Sequence, residues 1–380
     1  MAERILIYEP AHTGHHLKYA QLLIRAFTGR GRDVVFASTQ ESFASAEYAT
    51  LLKECEPLFT KVALAAGQPR RRLGPWLHSW RILTLAERHG CDRVFLPYLD
   101  AYFRPLGLLA GRHPSARRRR FEGILFDGGC SFDTAPRDIG DRLRRWAVRT
   151  VLARGRFERI LFLDEAVHDS YVRNVGGTRG RLVLCPDPVE THHTIPAEEF
   201  RARFGLGADA KVIGVFGMID PDKGVDLLID AFEQYRPDPH ERLLFMGRHA
   251  PAVLDHIHRC RVASQIVSVD RFVTDDEMIS GIHAVDVVGS LYPRHATSAS
   301  MVIRAAAAGK PVLGSDFGWT GRTIRRHQLG MVCDPLNEAS LGQGIRWAFD
   351  HPQLDPSKAA AFARQNSVEH FTEVICADLR

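Results

Sequence analysis

Apolar positions along this chain of 380 residues follow two alternating patterns. Short, nearly unbroken runs rich in β-branched and aromatic residues take turns with longer stretches whose apolar residues recur three and four apart. In the first half the short runs are "RILIYEP", "DVVFAST", "DRVFLPYLD", "FEGILFDGG", "RILFLDE" and "RLVLCPDP". Such runs predict strands buried on both faces, and hence a parallel sheet. Between the first two lies "HLKYAQLLIRAFTGRG", where Leu17, Leu22, Leu23, Ala26 and Phe27 make one helical face and Gly29 and Gly31 stop it. The pattern restarts with "KVIGVFGM", "RLLFMG", "QIVSVDRF", "VDVVGSLY", "KPVLGSDFG" and "LGMVCDP". The break falls near "PDPVETHHTIPAEEFRARFGLGADA", a polar stretch with prolines that reads as a linker with one short helix. The last segment, "PSKAAAFARQNSVEHFTEVICADLR", reads as terminal helix.

The fold class expected is therefore α/β, with two tandem Rossmann-like doubly wound domains over residues 1–190 and 191–360. A length of 380 residues suits two domains of common size. A ligand is expected in a cleft formed by loops at the carboxyl ends of the strands.

Composition changes this picture little: 45% hydrophobic and 25% charged is globular. "MAERILIYEP" enters a strand without a signal-peptide pattern, and no apolar run approaches the roughly 20 residues that span a bilayer. The expectation is a cytoplasmic protein. Seven cysteines, scattered singly, form neither a metal-ligand pattern nor a disulfide framework. The net charge of +5 is mild, but "QPRRRLGPW" (Arg70, Arg71, Arg72) and "SARRRRFEG" (Arg117 to Arg120) concentrate it. Two readings stay open: solvated loops, or contact with an anionic surface, either an acidic acceptor or lipid headgroups at the inner face of a membrane. Nucleic acid is disfavoured, since no stacking pattern accompanies the runs.

Candidate chemistry gathers in three pieces of the second half. In "GVFGMIDPDKGVDLLIDAF" a strand reaches Gly217, and Lys223 and Gly224 precede a helix, a natural place for a phosphate, with a plain surface turn as the alternative. In "VDRFVTDDEMISGIHAVDVVGSLYP" a strand ends near Arg271 to Val273, a helix begins at Asp275 to Glu277, and a further strand runs to Pro293. The third piece is "HATSASMVIRAAAAGKPVLGSDFGWTGRTI", beginning at His295.

In this order and spacing the three pieces resemble the C-terminal domain of family 4 glycosyltransferases. These are retaining, metal-independent enzymes of the two-domain GT-B fold that use nucleotide-sugar donors. "ILIYEPAHTGHHLKYAQLL" resembles the family's first strand, glycine loop and helix, and the last helix, taken as 361–380, resembles one that returns to the first domain. The resemblance is strongest from Lys211 to Asp334 and loose between Leu51 and Phe121.

By resemblance, the donor diphosphate is expected at Gly14, His15, Gly217, Lys223, Ser300 and Met301, and the base and ribose at Arg271, Phe272, Val273 and Arg304. No cofactor is implied beyond the donor, of UDP or GDP type. The pattern also departs from the family. Met218 stands where an arginine is frequent. The paired glutamates are replaced by Ala296 and Arg304, followed at the first place by Thr297, Ser298, Ala299 and Ser300 in place of aromatic and aliphatic residues. A carboxylate accepts hydroxyl hydrogen bonds, whereas a guanidinium only donates, so Arg304 is expected to address a phosphate or charged donor group instead. The alternative is that it points outward or pairs with an acid such as Asp316.

Catalysis in the family is described without a protein nucleophile: the departing phosphate takes the acceptor proton while cations and main-chain amides steady its charge. Lys223, His295, Arg304 and Asp127 are the catalytic candidates, and His12, His16 and Asp133 the acceptor-side ones. Plain turn aspartates remain an alternative for Asp127 and Asp133. The 18 histidines show no metal-ligand spacing at these places. "HTGHH" lacks the three-glycine dinucleotide spacing, so a dehydrogenase is disfavoured. The acceptor is open: a sugar, a lipid or a polyanion. Two further readings remain, a non-catalytic nucleotide- or glycan-binding homologue supporting a partner, and a sugar-nucleotide epimerase or hydrolase of the same fold.

Overall fold

The computed structural model describes residues 2–13, 15–64, 74–109, 119–126, 132, 138–175, 181–192, 194–350 and 353–377. Two compact units emerge, one of Met1–Pro186 with Phe371–Arg380 and one of Asp187–His370.

The first unit holds seven parallel strands: β1 (Arg4–Tyr8), β2 (Asp33–Thr39), β3 (Phe59–Leu64), β4 (Arg93–Leu96), β5 (Arg120–Leu125), β6 (Phe157–Phe162) and β7 (Leu182–Leu184). Their order is β3-β2-β1-β4-β5-β6-β7. Ile5, Leu6, Ile7 and Tyr8 of β1 are all buried, which is why the run is unbroken in apolar residues. The helix His16–Thr28 buries the expected face, Leu17, Leu22, Leu23, Ala26 and Phe27 among it.

Strand β3 is missing from the sequence reading. It is an edge strand whose Thr60 and Lys61 stand in solvent, so its run is not continuous. Lys61 bonds Glu56 at 3.0 Å and lies over the rings of Phe43 and Tyr48 at 4.5 and 4.7 Å. A lysine on an outer strand also guards against edge-to-edge pairing.

The second unit holds six parallel strands: β8 (Lys211–Phe216), β9 (Glu241–Gly247), β10 (Ile266–Asp270), β11 (Val287–Ser290), β12 (Val312–Ser315) and β13 (Gly330–Cys333). Their order is β10-β9-β8-β11-β12-β13. All six runs read from the second half are strands, although β11 stops at Ser290, short of Pro293. The linker carries one short helix, Ala197–Arg203.

The last segment forms two helices, Pro356–Gln365 and Val368–Cys376, where one was expected. Between them Asn366 bonds back to the Phe362 carbonyl at 3.0 Å and accepts from the amide of Asp187 at 3.3 Å. Ala359 and Phe362 of the first helix lie in the second unit's core. In the first unit, Phe371 meets the Tyr19 ring edge-on at 5.9 Å, and Arg159 donates to the carbonyls of Val374 (2.7 Å) and Ile375 (2.6 Å). Arg159 also bonds buried Glu122 at 2.6 Å, whose other oxygen lies 3.7 Å from Arg93. A buried carboxylate survives there because two guanidinium groups flank it.

Candidate functional site

Each sheet has one place where the strand order turns. β1 lies between β2 and β4, and β8 lies between β9 and β11. Loops leaving the two adjacent strands part to opposite faces there, which opens a crevice at the carboxyl end.

In the second unit the two parting loops are those after β8 and β11. Gly217, just past β8, adopts φ +91°, a conformation that an L side chain resists. The chain then makes a single turn, Pro221–Lys223, and swings at Gly224 (φ +69°) into the helix Val225–Tyr235. A Cβ on Gly224 would stand 2.4 Å from the carbonyl oxygen of Leu291, in the loop after β11. This close approach brings Lys223 to the second loop, with its Nζ 5.7 Å from the ring centre of Tyr292. Its hydrogen bond goes to the Phe216 carbonyl at 2.6 Å. Burial lowers the Lys223 pKa to about 8, against an upward pull from Asp220. Burial, aided by Asp220, raises Tyr292 to about 12, so the phenol stays neutral.

His295 continues the line. Its ring lies 5.1 Å from that of Tyr292, and its Nε2 is 3.0 Å from Thr297 Oγ1 and 3.2 Å from the Ser298 carbonyl. Ser298 in turn donates to Asp187 at 2.7 Å. The helix Ser300–Ala307 then begins with no side chain capping it. Its first amides, at Ser300 and Met301, are donors of the kind that hold anions. The Met301 side chain is buried in the core, so only its main chain can serve.

Arg304 is buried, 6% exposed, and therefore does not point outward. Its partner is Asp275 and not Asp316: Nη2 lies 3.5 Å from Asp275 Oδ1, while Nε and Nη1 have no hydrogen-bond partner. Arg271 forms a two-pronged pair with Glu277, at 2.8 Å on one side and closer on the other. The pair holds the Arg271 pKa up and the Glu277 carboxyl down. Phe272 is exposed, with the Arg248 guanidinium 5.8 Å from its ring centre, and Val273 is half-buried beside it. The Arg248 carbonyl accepts from the Ile219 amide at 2.8 Å, so Arg248 sits against the loop in which Met218 replaces an arginine.

In the first unit the start of the first helix meets the loop after β4. His16 stacks on Tyr98 with ring centres 3.8 Å apart, and its Nδ1 is 3.0 Å from buried Glu9. Tyr98 stacks in turn on Phe126 at 4.1 Å. His15 is the exposed residue ahead of the first helix, and His12 is half-buried in the loop before it. Tyr8, at the end of β1, shares a short hydrogen bond with His78, whose pKa burial and Arg81 push down. Gly14, Asp127 and Asp133 lie outside the described residues, as do Arg70 to Arg72, Arg117 and Arg118. The two described members of the second arginine run are occupied within the protein. Arg119 donates to the Cys91 carbonyl at 3.0 Å, and Arg120 pairs with Glu3 and with Glu158 at 3.5 Å.

Sequence reasoning missed Tyr292, Arg248, Glu9 and Tyr98. The usable signal was position, since Tyr292 and Tyr98 each follow a strand that borders the turn in strand order. Among the described residues, no three His, Cys, Asp or Glu side chains gather as a metal site, and no helix is long and apolar enough to cross a membrane.

Tandem parallel sheets of this build define a GT-B-like α/β protein. A solved glycosyltransferase from Rickettsia africae superposes over 98% of this chain and 96% of its own, with a TM-score of 0.73 at 14% identity. An Anabaena protein solved in complex with UDP-glucose does so over 98% of each, with a TM-score of 0.68 at 18% identity. Residues 210–351 match the family model of group 1 glycosyl transferases. The family 4-like resemblance is thus upheld over the part of the second unit where it was strongest. A glycogen synthase of Mycobacterium tuberculosis is 28% identical over 179 residues, which are 45% of this chain and 41% of that enzyme. The chain spans less than half the length of such curated relatives.

Proposed function

We propose that this protein transfers a sugar from a nucleotide-sugar donor to an acceptor hydroxyl, with retention and without a metal. Lys223 and the amides of Ser300 and Met301 hold the donor diphosphate, with Gly217 allowing close approach and His295 contacting sugar or phosphate. Phe272, Val273 and Arg248 take the base, and Arg304 addresses a charged or oxygen-rich part of the nucleotide. The acceptor oxygen bonds to the anomeric carbon as the bond from that carbon to the diphosphate breaks. The acceptor proton passes to the departing diphosphate, whose charge Lys223 offsets. His12 and His16, with Glu9 behind His16, belong to the acceptor side.

One observation carries the reading. Lys223 is a partly desolvated ammonium fixed where the strand order turns, with its hydrogen bond to a main-chain carbonyl and none to an acid. That arrangement leaves its charge for an incoming anion. UDP is the first nucleotide to test, since a neighbour of the same fold was solved in complex with UDP-glucose.

Thermal-shift screening against UDP-, GDP-, ADP-, TDP- and CMP-sugars tests it. A true donor raises the melting temperature as its concentration climbs past its dissociation constant. A flat response to all five overturns the proposal.

A further inference from the structure

We propose that the helices Gly74–Arg88 and Ile139–Ala153 of the first unit form a docking surface for a bilayer with anionic headgroups. Among the described residues, twelve large apolar side chains stand in solvent, and half of them lie on these two helices: Trp76, Leu77, Trp80, Ile139, Leu143 and Trp146. Their exposures run from 41% to 76%. The positions fall in the first turns of each helix, spaced as one face: 76, 77 and 80, then 139, 143 and 146. Both helices touch the short helix Phe103–Leu109, which places the three in one layer. Each follows the carboxyl end of a strand, β3 or β5, so the apolar turns stand at the rim that carries Tyr98 and the Tyr8–His78 pair. His78 is on the same helix as Trp76 and Trp80.

Charge selects the occupant. The two helices carry six arginines (Arg81, Arg88, Arg142, Arg144, Arg145 and Arg149) against two acids, Glu87 and Asp141. Asp141 is buried and bonded by both Arg145 at 3.0 Å and Arg144 at 3.5 Å, and of these two only Arg144 is exposed. A second copy of this chain, docked face to face about a two-fold axis, would set arginine against arginine. An anionic interface instead accepts the exposed Arg142 and Arg144, which flank Leu143, at headgroup depth and the tryptophan rings just beneath. The inference rests on the proposed transferase reading only in one respect: it places the acceptor on that bilayer.

The test is flotation of the full chain with phosphatidylcholine vesicles, with and without phosphatidylglycerol. Binding is expected only with the anionic lipid, falling as salt rises, with tryptophan emission shifting to the blue. Brominated lipid should quench that emission in the unsubstituted chain, a readout that needs no variant. The Trp80→Ser/Trp146→Ser double variant should bind roughly ten-fold more weakly while keeping its melting temperature and its response to nucleotide-sugars. The proposal is overturned by absent binding to anionic vesicles, by unchanged binding of the double variant, or by a dimer in solution that the double variant dissociates. Nucleotide-sugar stabilisation is read separately, so loss of one activity does not mask the other.

Discussion

Lys223 Nζ donates a 2.6 Å hydrogen bond to the carbonyl of Phe216, the last residue of β8. The ammonium is thus tethered to the sheet by a neutral group, and burial holds its pKa at about 8. Below that value the group is charged and receptive to an anion; above it the charge goes. Nucleotide affinity should therefore fall as pH rises from 7 to 9, and a bound diphosphate should draw the pKa upward. Calorimetric titration of UDP across that range checks this, with Lys223→Met flattening the profile. Without ligand the sign reverses. Between about 8 and the ordinary 10.5 the unfolded chain holds more protons than the folded one, so stability climbs with pH. Free Lys223→Met should lack that climb and melt at or above the parent.

Arg304 makes a second, independent prediction. A guanidinium that is buried with two unpartnered nitrogens is a poor contributor to stability, because it left water and gained one long contact. Arg304→Met should hold the melting temperature within a few degrees, yet weaken the stabilising nucleotide-sugar by roughly ten-fold or more. Unchanged donor affinity would remove Arg304 from the site.

Much of this was legible in the sequence. The buried runs of β1 and β8 announced themselves because a strand covered on both faces has no reason to alternate. The turn at Lys223 and Gly224 was legible because an apolar strand run ends at Gly217 and a helical period starts at Val225, whereas a lysine beside a glycine does not by itself mark a phosphate site. β3 was not, because an edge strand with Thr60 and Lys61 in solvent has no distinctive period. Tyr292, Arg248 and the Arg304–Asp275 pair were equally hidden. Each depends on which loops the strand order brings together, and pairing across 29 residues, as at Asp275 and Arg304, leaves no local trace.

The turn at Gly224 is the mechanical support of Lys223. Any side chain there meets both a left-handed φ of +69° and the Leu291 oxygen. Gly224→Ala should cost about 1–3 kcal/mol. Because the loops after β8 and β11 must then separate, nucleotide stabilisation should be lost with Lys223 still present. Urea denaturation and the same thermal-shift titration read the two effects.

The Arg159 network supplies the contrast between buried and exposed charge. Arg159 bonds Glu122 and two carbonyls of the helix Val368–Cys376, all in the first unit's interior. Removing it leaves Glu122 with Arg93 alone, at 3.7 Å, and deprives Val374 and Ile375 of donors. Breaking a buried pair from one side costs about 3–5 kcal/mol, since the remaining charge stays desolvated. Arg120 also pairs with acids, but it is nearly half-exposed, so solvent already screens its partners. Arg120→Ala should shift stability by less than about 1 kcal/mol. Arg159→Ala should lower the urea midpoint sharply and open the terminal helix first, seen as early amide exchange over residues 368–376. Equal effects from the two variants would mean that Glu122 gains a replacement partner when Arg159 is lost, and that the terminal helix is held by Phe371 packing on Tyr19 and not by these hydrogen bonds.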